Sequence, residues 1–359
     1  MPDTAVEVIL ELSEGHLFNE GDGDRHRMFY TSLMLALSDL SVRVQPNRLP
    51  FGADKSPRVY KPNQLVISFH SIGPEGNILR FKESYISPYY TLDRLGYSGF
   101  SELAKTPSKF LESIEAIAPQ EADSFVDRLA KSQAESNSSK YKQPSHTGRP
   151  QGRYVFLPLQ TIDDTVAELN HLEPGEVAFA LAELCDKLGQ TLVIKRHPSC
   201  KAGAVTSLLS DLQRRFESVQ ISDGSIHGLI RGASCVVGGN SGVLFEALVQ
   251  GAHVVSFAKS DYALATTHVN NIDSLLKACV RPSEVDPVFQ RKFVTWYLTR
   301  YCVQADGVPE IRARISEVLV QLDIPTRQVN SEQQNLFERY ASSEMQRRGD
   351  ILFADGQST

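Results

Sequence analysis

Residues 235–257 read CVVGGNSGVLFEALVQGAHVVSF, and the fold class can be predicted from them. A short β-branched run, Cys235–Gly238, leads through a glycine-bearing turn into an apolar helical segment, Gly242–Gln250. A second β-branched run, His253–Phe257, follows directly. Parallel strands need a crossover between them, and that crossover is usually a helix. The stretch therefore predicts two parallel strands of a buried sheet.

The same alternation begins at residue 154 and continues to this stretch. Such alternation predicts an α/β domain with a parallel, doubly wound sheet. The upstream strands that we predict are Tyr154–Pro158, Thr191–Lys195 and Val219–Ser222, and the helices are Gly175–Leu188, Val205–Phe216 and Ser225–Gly232. Beyond the sheet we predict helices at Val288–Tyr301, Glu310–Leu322 and Ser331–Arg348.

The N-terminal half has a less regular pattern. Extended segments are predicted at Ala5–Leu12, Leu65–Ser68 and Ile78–Ile86, helices at Asp24–Leu40, Ser108–Ile117 and Glu121–Gln133, and an aromatic loop at Tyr85–Phe100. Segment Ser136–Gly152 is rich in Ser, Lys, Gln, Pro and Gly, which is typical of a domain boundary. We predict one domain over 1–150 and a second over 151–325. A C-terminal helix and polar tail over 326–359 could cross back to the first domain.

Length and composition agree with this organisation. The chain has 359 residues, and a single hydrophobic core rarely grows beyond roughly 250–300 residues. Its 41% hydrophobic and 22% charged residues are typical of a globular protein and exclude a disordered or collagen-like chain. The net charge of -6 disfavours a nucleic-acid-binding protein, which needs a basic surface. A small molecule is the expected partner.

Cysteine usage and hydropathy predict the compartment. The five cysteines are widely spaced and form no CxxC or CxxH pair, so neither a disulfide framework nor a zinc site is indicated. The acidic N-terminus lacks the basic residues of a signal peptide, and no apolar run approaches the roughly 18 residues of a membrane span. We therefore expect a cytoplasmic protein.

Candidate site residues follow the predicted strands, because open parallel sheets bind ligands at the carboxyl ends of their strands. Gln160 and two adjacent carboxylates, Asp163 and Asp164, come after the strand Tyr154–Pro158. An aspartate there could serve as a nucleophile, a base or a metal ligand, or it could cap the next helix. The residues alone leave these alternatives open.

Cationic side chains leave the next strand together. Lys195, Arg196 and His197 precede Pro198, which fixes the direction of the chain. Such a cluster suits a phosphate or a carboxylate ligand. A solvated surface turn would have the same composition, so both interpretations stand at this point.

The turn Asn240–Gly242, with Ser241 at its centre, feeds an apolar helix. The free amides and the positive dipole end of a helix N-terminus can bind a phosphate. The turn matches neither a Walker loop nor GxGxxG, and a plain tight turn is the alternative. Glu246 could reach ribose hydroxyls or face solvent, and Tyr262 lies in a loop that could cover the same crevice.

Together these strings resemble a known family. A nucleotide site in the second of two domains is similar to GT-B glycosyltransferases, and the motifs resemble the capsular-polysaccharide biosynthesis family that contains the retaining β-Kdo transferases. The motifs are Gln160-x-x-x-Asp164, Lys195 with His197-Pro198, Ile226-His227-x-Leu229-Ile230, Asn240-Ser241-Gly242-x-x-x-Glu246-Ala247-Leu248, Lys82-Glu83-x-Tyr85 and Asp93-Arg94-x-Gly96-Tyr97-Ser98-Gly99.

The resemblance implies an α/β, GT-B-like fold with two Rossmann-like domains facing a central cleft, followed by C-terminal helices. It implies transfer of Kdo, or a related acidic sugar, from a CMP-activated donor to a glycan or glycolipid acceptor in bacterial capsule, O-antigen or lipopolysaccharide biosynthesis. CMP-Kdo would be a substrate, so no cofactor and no metal ion is expected. The transfer reaction would take place in the cytoplasm or at the inner face of the cytoplasmic membrane. The basic end of the helix Ser331–Arg348 could approach that membrane surface.

The resemblance also implies roles for individual residues. Asp164 matches the aspartate that attacks the anomeric carbon in the retaining enzymes, and Asp163 is the second choice. His197 matches a histidine near the CMP phosphate, and Glu83 matches an acidic residue of the acceptor domain that could activate the acceptor hydroxyl. The predicted donor-binding residues are Gln160, Lys195, Arg196, Pro198, His227, Asn240, Ser241, Gly242, Glu246 and Tyr262.

This chemistry is physically consistent without a metal ion. The departing charge of one phosphate could be met by a helix N-terminus, by Ser241 and by a cationic His197 or Lys195. Retention would need two inversions, of which a carboxylate nucleophile such as Asp164 supplies the first. Two alternatives stand beside it. One is an inverting, sialyltransferase-like or other nucleotide-sugar transferase, and the other is a non-catalytic nucleotide-binding scaffold of the assembly complex.

Overall fold

The computed structural model describes residues 6–13, 20–40, 42–49, 59–144, 150–162 and 164–324. Asp163, the predicted C-terminal segment 326–359 and its helix Ser331–Arg348 lie outside these residues. The strands are β1 (Glu7–Ser13), β2 (Arg43–Leu49), β3 (Gln64–Phe69), β4 (Ile78–Glu83), β5 (Tyr89–Asp93), β6 (Tyr154–Pro158), β7 (Thr191–Lys195), β8 (Val219–Ile221), β9 (Ala233–Gly238), β10 (Val254–Ser256), β11 (Thr267–His268) and β12 (Cys302–Gln304).

The helices alternate with these strands through most of the chain. They are α1 (Glu20–Asp39), α2 (Glu102–Lys105), α3 (Leu111–Glu115), α4 (Pro119–Ser136), α5 (Pro174–Leu188), α6 (Gly203–Arg215), α7 (Ile226–Gly232), α8 (Gly242–Val249), α9 (Ile272–Val280), α10 (Pro287–Trp296) and α11 (Val308–Gln321). Short 3₁₀ turns span Ser98–Phe100, Pro107–Phe110, Thr165–Leu169 and Ala263–Ala265, and α10 continues as a π-helical turn, Tyr297–Tyr301.

The described residues divide into two compact units. The first contains those up to Phe69, Glu75–Leu79 and those from Gln304 onward, and the second contains His70–Pro74 and Arg80–Val303. The chain therefore passes between the units more than once. The division into an acceptor-binding domain over 1–150 and a donor-binding domain over 151–325 stays a prediction. Arg80 and the described residues up to 150 belong to the same unit as the strands of the second half.

The first unit is built on parallel strands and two amphipathic helices. β1 pairs in parallel with both β2 and β3. Phe29, Leu33 and Leu37 of α1 are fully buried, because a spacing of four residues places them on one face of the helix. Arg312 of α11 makes an ion pair with Asp39 at the end of α1, with 3.0 Å between nitrogen and oxygen.

Four strands were not predicted, namely β2, β5, β11 and β12. β2 contains Pro46 and ends the strand order of its sheet, where a proline is tolerated because its missing amide can face away from a partner strand. β5 lies inside the predicted aromatic loop and pairs antiparallel with β4, with Tyr90 opposite Glu83. Every residue of β5 is buried, so no alternation of apolar and polar residues marked it as a strand.

The second unit contains the predicted doubly wound sheet. Its strand order is β11-β10-β9-β6-β7-β8, and every neighbouring pair is parallel. Tyr154 and Phe156 of β6 face the apolar cluster that includes α7, α8 and α10, and Val155 and Leu157 face the one that includes α5, α6 and α9. Burial on both faces explains the continuous apolar runs of these strands. The predicted α/β fold class with two Rossmann-like domains is confirmed.

All five cysteines are free thiols buried in the second unit, and the Sγ atoms of Cys235 and Cys279 are 4.0 Å apart. Among the residues that the structure describes, no helix is both long enough and apolar enough to cross a membrane.

We expect Phe156→Ala to lower the free energy of unfolding of the second unit by about 3–5 kcal/mol, because it opens a cavity beneath the sheet. Trp296 is the chain's single tryptophan and is 4% exposed in this unit, so its fluorescence during urea denaturation measures the loss. Leu188→Ala is the control, because Leu188 is 47% exposed. We expect it to cost less than about 0.5 kcal/mol, and equal losses in the two variants would contradict the packing.

Candidate active site

A cavity of about 400 Å³ lies in the second unit, where β4, β6, β7 and β9 end. Its lining brings together most of the predicted site residues. They are Glu83, Gln160, Asp164, Lys195, Arg196, His197, Pro198, Asn240, Ser241, Gly242 and Glu246. His227 and Tyr262 are outside the lining, and Asp163 is outside the described residues.

Two amides join the ends of β6 and β9. Gln160 Nε2 donates to Asn240 Oδ1 at 2.9 Å, and the backbone N–H of Asn240 donates to Gln160 Oε1 at 3.2 Å. Asn240 Nδ2 also donates to the Val166 carbonyl at 3.0 Å. A Cβ on Gly239 would lie 2.7 Å from Gln160 Oε1, so a side chain at this position would displace the Gln160 amide. Gln160 and Asn240 therefore position the loops of the cavity, because their side chains form hydrogen bonds with each other and with the backbone.

Asp164 caps a 3₁₀ turn and also faces the cavity. Its Oδ1 accepts from the Val166 amide at 3.3 Å, so the capping role considered for this residue is present. Its side chain is exposed, and its charge acts on both Lys82 and His197, where it favours the protonated forms. The carboxylate thus combines a fixed backbone position with access to the cavity.

His197 is neutral at neutral pH. Burial lowers its pKa below the ordinary value of 6.5, although Asp164 acts in the opposite direction. Its Nδ1 accepts from the Ser199 amide at 3.1 Å, so the proton of the neutral ring belongs on Nε2. His197 can therefore donate a hydrogen bond as an uncharged group, rather than act as the cation that the sequence suggested.

The two cations beside His197 differ in availability. Arg196 donates to the Thr206 hydroxyl and to the Ala202 carbonyl, both at 2.9 Å, so it holds the start of α6. Lys195 lines the cavity, and burial lowers its pKa while Asp223 raises it. Lys195 is therefore the better placed of the two to contact a ligand.

The start of α8 presents backbone amides to the cavity. Ser241 is the N-cap, and its Oγ accepts from the Val243 amide at 3.3 Å, which leaves the hydroxyl hydrogen for another partner. The Tyr262 hydroxyl donates to the Ser241 carbonyl at 3.0 Å from a fully buried position. Tyr262 thus holds the turn in place, and Ser241 and Gly242 line the cavity.

Glu246 is a buried carboxyl group that is protonated at neutral pH. Burial raises its pKa to about 8. The Ser139 hydroxyl donates to Oε1 at 2.7 Å, and Oε2 is buried with no hydrogen-bond partner among the described residues. A protonated Oε2 can donate to a ligand hydroxyl, so Glu246 suits a ribose.

His227 lies next to Glu246, and both of its ring nitrogens contact other protein atoms. Its Nε2 is 2.7 Å from the Ser138 carbonyl, and Gln250 Nε2 is 3.2 Å from its Nδ1. This pairing places the proton on Nε2, and burial lowers the pKa of the ring. The 3.7 Å approach of His227 to Glu246 is therefore not an ion pair, and His227 fixes the surrounding chain.

Two lysines that are not among the predicted site residues, Lys82 and Lys140, also line the cavity. Lys140 Nζ lies 3.2 Å from Glu83 Oε2, whose side chain is 4% exposed. Lys82 Nζ lies 2.7 Å from His70 Nε2 and 4.7 Å from the centre of the Tyr97 ring. Burial and, to a smaller extent, the nearby charge of Lys140 lower the pKa of Lys82 to about 7.

An aromatic cluster closes the base of the cavity around Asp261. The hydroxyls of Tyr85 and Tyr297 donate to its two carboxylate oxygens at 2.7 and 2.9 Å. Burial raises the pKa of Asp261 to about 6, and these two hydrogen bonds oppose that rise. Tyr85 also stacks on Phe245 with 5.2 Å between ring centres. Asp261 and Tyr85 line the cavity. In the sequence, Tyr85 belongs to the motif Lys82-Glu83-x-Tyr85, and Asp261 stands beside Tyr262 in the loop that could cover the crevice.

Within the described part of the chain, no group of three or more His, Cys, Asp or Glu side chains is placed to hold a metal ion. That the reaction needs neither a metal nor a cofactor stays a prediction.

No protein-family model matches the sequence, and no curated protein matches it either. Among solved structures, Thermosulfurimonas dismutans KpsC, a beta Kdo 2,4 transferase, is similar with a TM-score of 0.50 and 15% identity, over 86% of this chain and 98% of that one. The KpsC beta Kdo 2,7 transferase of the same organism has a TM-score of 0.49 and 13% identity, over 86% of this chain and 99% of that one.

A UDP-GlcNAc 2-epimerase from Methanocaldococcus jannaschii, solved with UDP-GlcNAc and UDP, has a TM-score of 0.32 and 9% identity, over 88% of this chain and 99% of that one. At such identities a likeness shows the fold alone. The likeness to the beta Kdo 2,4 transferase confirms the predicted GT-B-like fold class.

The buried carboxyl of Glu246 predicts a pH-dependent stability. Its pKa is raised from 4.5 to about 8, so the unfolded chain ionises first, and the free energy of unfolding falls as the pH rises between these values. Glu246→Gln removes this titration. We expect the free energy of unfolding of Glu246→Gln, relative to that of the wild type, to rise by roughly 2–4 kcal/mol between about pH 5 and pH 8, as measured by urea denaturation. Glu183→Gln, at an exposed position of α5, is the control. Parallel curves for Glu246→Gln and the wild type would show that Glu246 is already ionised in the folded protein.

Proposed function

We propose that this chain is a glycosyltransferase of glycan biosynthesis that transfers Kdo, or a related acidic sugar, from a CMP-activated donor to a glycan acceptor. One observation carries the proposal: a single cavity is lined by the carboxylates of Asp164 and Glu83, the imidazole of His197 and the start of α8. The likeness in fold to a KpsC beta Kdo 2,4 transferase supports it.

The donor phosphate would bind at the start of α8. There the hydroxyl of Ser241 and the free backbone amides of the first helical turn can donate to its oxygens. Glu246 lies one turn further along the helix, where its protonated Oε2 can donate to a ribose hydroxyl. A nucleoside monophosphate has its ribose and its single phosphate this close together, which supports a CMP-linked donor.

Departure of CMP would be assisted by two hydrogen-bond donors, the uncharged His197 and the positively charged Lys195. Neutral His197 can donate from Nε2 to a phosphate oxygen, because its Nδ1 is held by the Ser199 amide. Lys195 lines the same part of the cavity and adds positive charge. Preorganised donors of this kind stabilise the charge that develops on a leaving group.

Asp164 would be the nucleophile of a retaining reaction. A carboxylate oxygen forms a bond to the anomeric carbon while the bond from that carbon to the phosphate oxygen breaks, and CMP leaves with the electron pair. The acceptor oxygen then attacks the same carbon, and the bond to Asp164 breaks. The acceptor proton passes to Glu83, and Lys82, whose pKa is about 7, is a second group able to take it.

Incubation of the purified protein with CMP-Kdo and candidate glycan acceptors tests the donor class. We expect release of CMP, transfer of the sugar and, by NMR, a product with the anomeric configuration of the donor. An inverted product would favour the sialyltransferase-like alternative, and binding of CMP without turnover of any donor would favour a scaffold. Turnover of another nucleotide sugar, with no binding of CMP-Kdo, would refute the proposed donor.

We expect Asp164→Asn to lower kcat by about 10³-fold or more, because the amide oxygen is a far weaker nucleophile. The affinity for CMP and the fluorescence of Trp296 should change little, since the capping oxygen at this position is kept. Asp163→Asn is the matched control, with the same change one residue earlier, and we expect it to stay active. An inactive Asp163→Asn beside an active Asp164→Asn would assign the nucleophile to the other carboxylate.

A further inference from the structure

The segment Asn137–Gln143, here called the strap, touches three of the residues to which the proposed function gives a role. Ser139 Oγ donates to Glu246 Oε1 at 2.7 Å. Lys140 Nζ lies 3.2 Å from Glu83 Oε2. The ring of Tyr141 meets the ring of His197 edge-on, with 4.9 Å between their centres. Three consecutive residues thus contact the ribose, acceptor and phosphate ends of the proposed site.

The strap is fixed by side-chain and backbone contacts at the start of α7. The Ser225 hydroxyl donates to Asn137 Oδ1 at 2.6 Å, and the Ile226 amide donates to Gln143 Oε1 at 3.1 Å. Between them, His227 Nε2 bonds to the Ser138 carbonyl at 2.7 Å. Asn137 ends α4 in the left-handed conformation, with φ of 47°, which suits asparagine. The segment is therefore a built part of the second unit, although its composition is that of a linker.

Lys140 is the charged residue through which the strap acts on the cavity. Its ammonium faces Glu83 and Lys82 at the end of β4, and His197 and Asp164 lie in the loops after β7 and β6. The charge of Lys140 lowers the pKa of both Lys82 and His197, and the charge of Asp164 raises both. Removal of the ammonium would take away the positive charge that lies 3.2 Å from the buried Glu83 carboxylate and would make His197 easier to protonate.

We propose that Lys140 is a positioning residue of the active site: from 3.2 Å it holds the Glu83 carboxylate in place, and its charge adds to burial in keeping His197 in its uncharged, proton-donating form. The roles of Glu83 and His197 in this inference rest on the proposed function. The contacts of Lys140 do not depend on it, so the two can be tested separately.

The first test needs no substrate. The His197 ring is titrated by NMR in protein with isotope-labelled histidine, and its resonance is assigned with His197→Gln. In Lys140→Met, which keeps the aliphatic stem and removes the charge, we expect the titration midpoint to rise by about 0.5 pH units. Lys140→Gln repeats the loss of charge in a second background, and Lys140→Arg should restore the wild-type midpoint.

Lys142→Met is the matched control. Lys142 is an exposed residue of the strap two positions after Lys140, and this substitution removes the same charge. We expect it to leave the His197 midpoint unchanged. An unchanged midpoint in both Lys140→Met and Lys140→Gln would overturn the proposal, since a merely structural lysine would give that result.

The second test uses turnover of the CMP-sugar. We expect Lys140→Met to lower kcat about 10-fold while the KM for the donor changes less than about twofold, and to move the acid limb of the pH profile to higher pH. Lys140→Arg should recover both. A loss confined to donor KM would overturn the positioning role. An inactive wild type would refute the proposed function, and the titration of His197 would still decide the role of Lys140.

Discussion

The reciprocal amide contact between Gln160 and Asn240 is the interaction on which the rest of the site depends. Each residue follows a strand of the parallel sheet, and their paired hydrogen bonds fix the ends of β6 and β9 to each other. The loop that carries Asp164 and the helix start that carries Ser241 both leave from these ends. Asn240 extends the link by binding the Val166 carbonyl at the turn that Asp164 caps. The nucleophile candidate and the phosphate candidate are thus held by one pair of amides.

The chemistry of the cavity depends on groups whose protonation differs from that in water. Glu246 keeps its proton near neutral pH because burial penalises the carboxylate. Asp261 is also buried, but it accepts hydrogen bonds from two tyrosine hydroxyls, and its pKa rises only to about 6. His197 stays neutral for the same reason that Glu246 does. The chain's net charge of -6 therefore describes its surface, while the cavity gathers Lys82, Lys140 and Lys195.

The sequence allowed prediction of the sheet and of the residues that follow its strands, because both depend on local periodicity and on the ends of parallel strands. It could not show which way a side chain points. Tyr262 and His227 were placed near the right loops, but each turns into the protein and binds a backbone carbonyl. Nor could it find the strap, since a polar segment such as Asn137–Gln143 has no periodicity. The residues of the cavity and at the start of α7 that the strap contacts are 56 to 107 positions away in the sequence. The same lack of local signal hid the contact between Lys82 and His70.

The buried thiols of the second unit have a practical consequence. Cys185, Cys200, Cys235, Cys279 and Cys302 are all buried, so a maleimide dye or spin label would meet no accessible native thiol in the folded protein. A thiol introduced at the exposed Lys142 would be modified selectively, without replacement of any native cysteine. Fluorescence or spin-resonance spectroscopy could then follow the strap in real time while nucleotides are added.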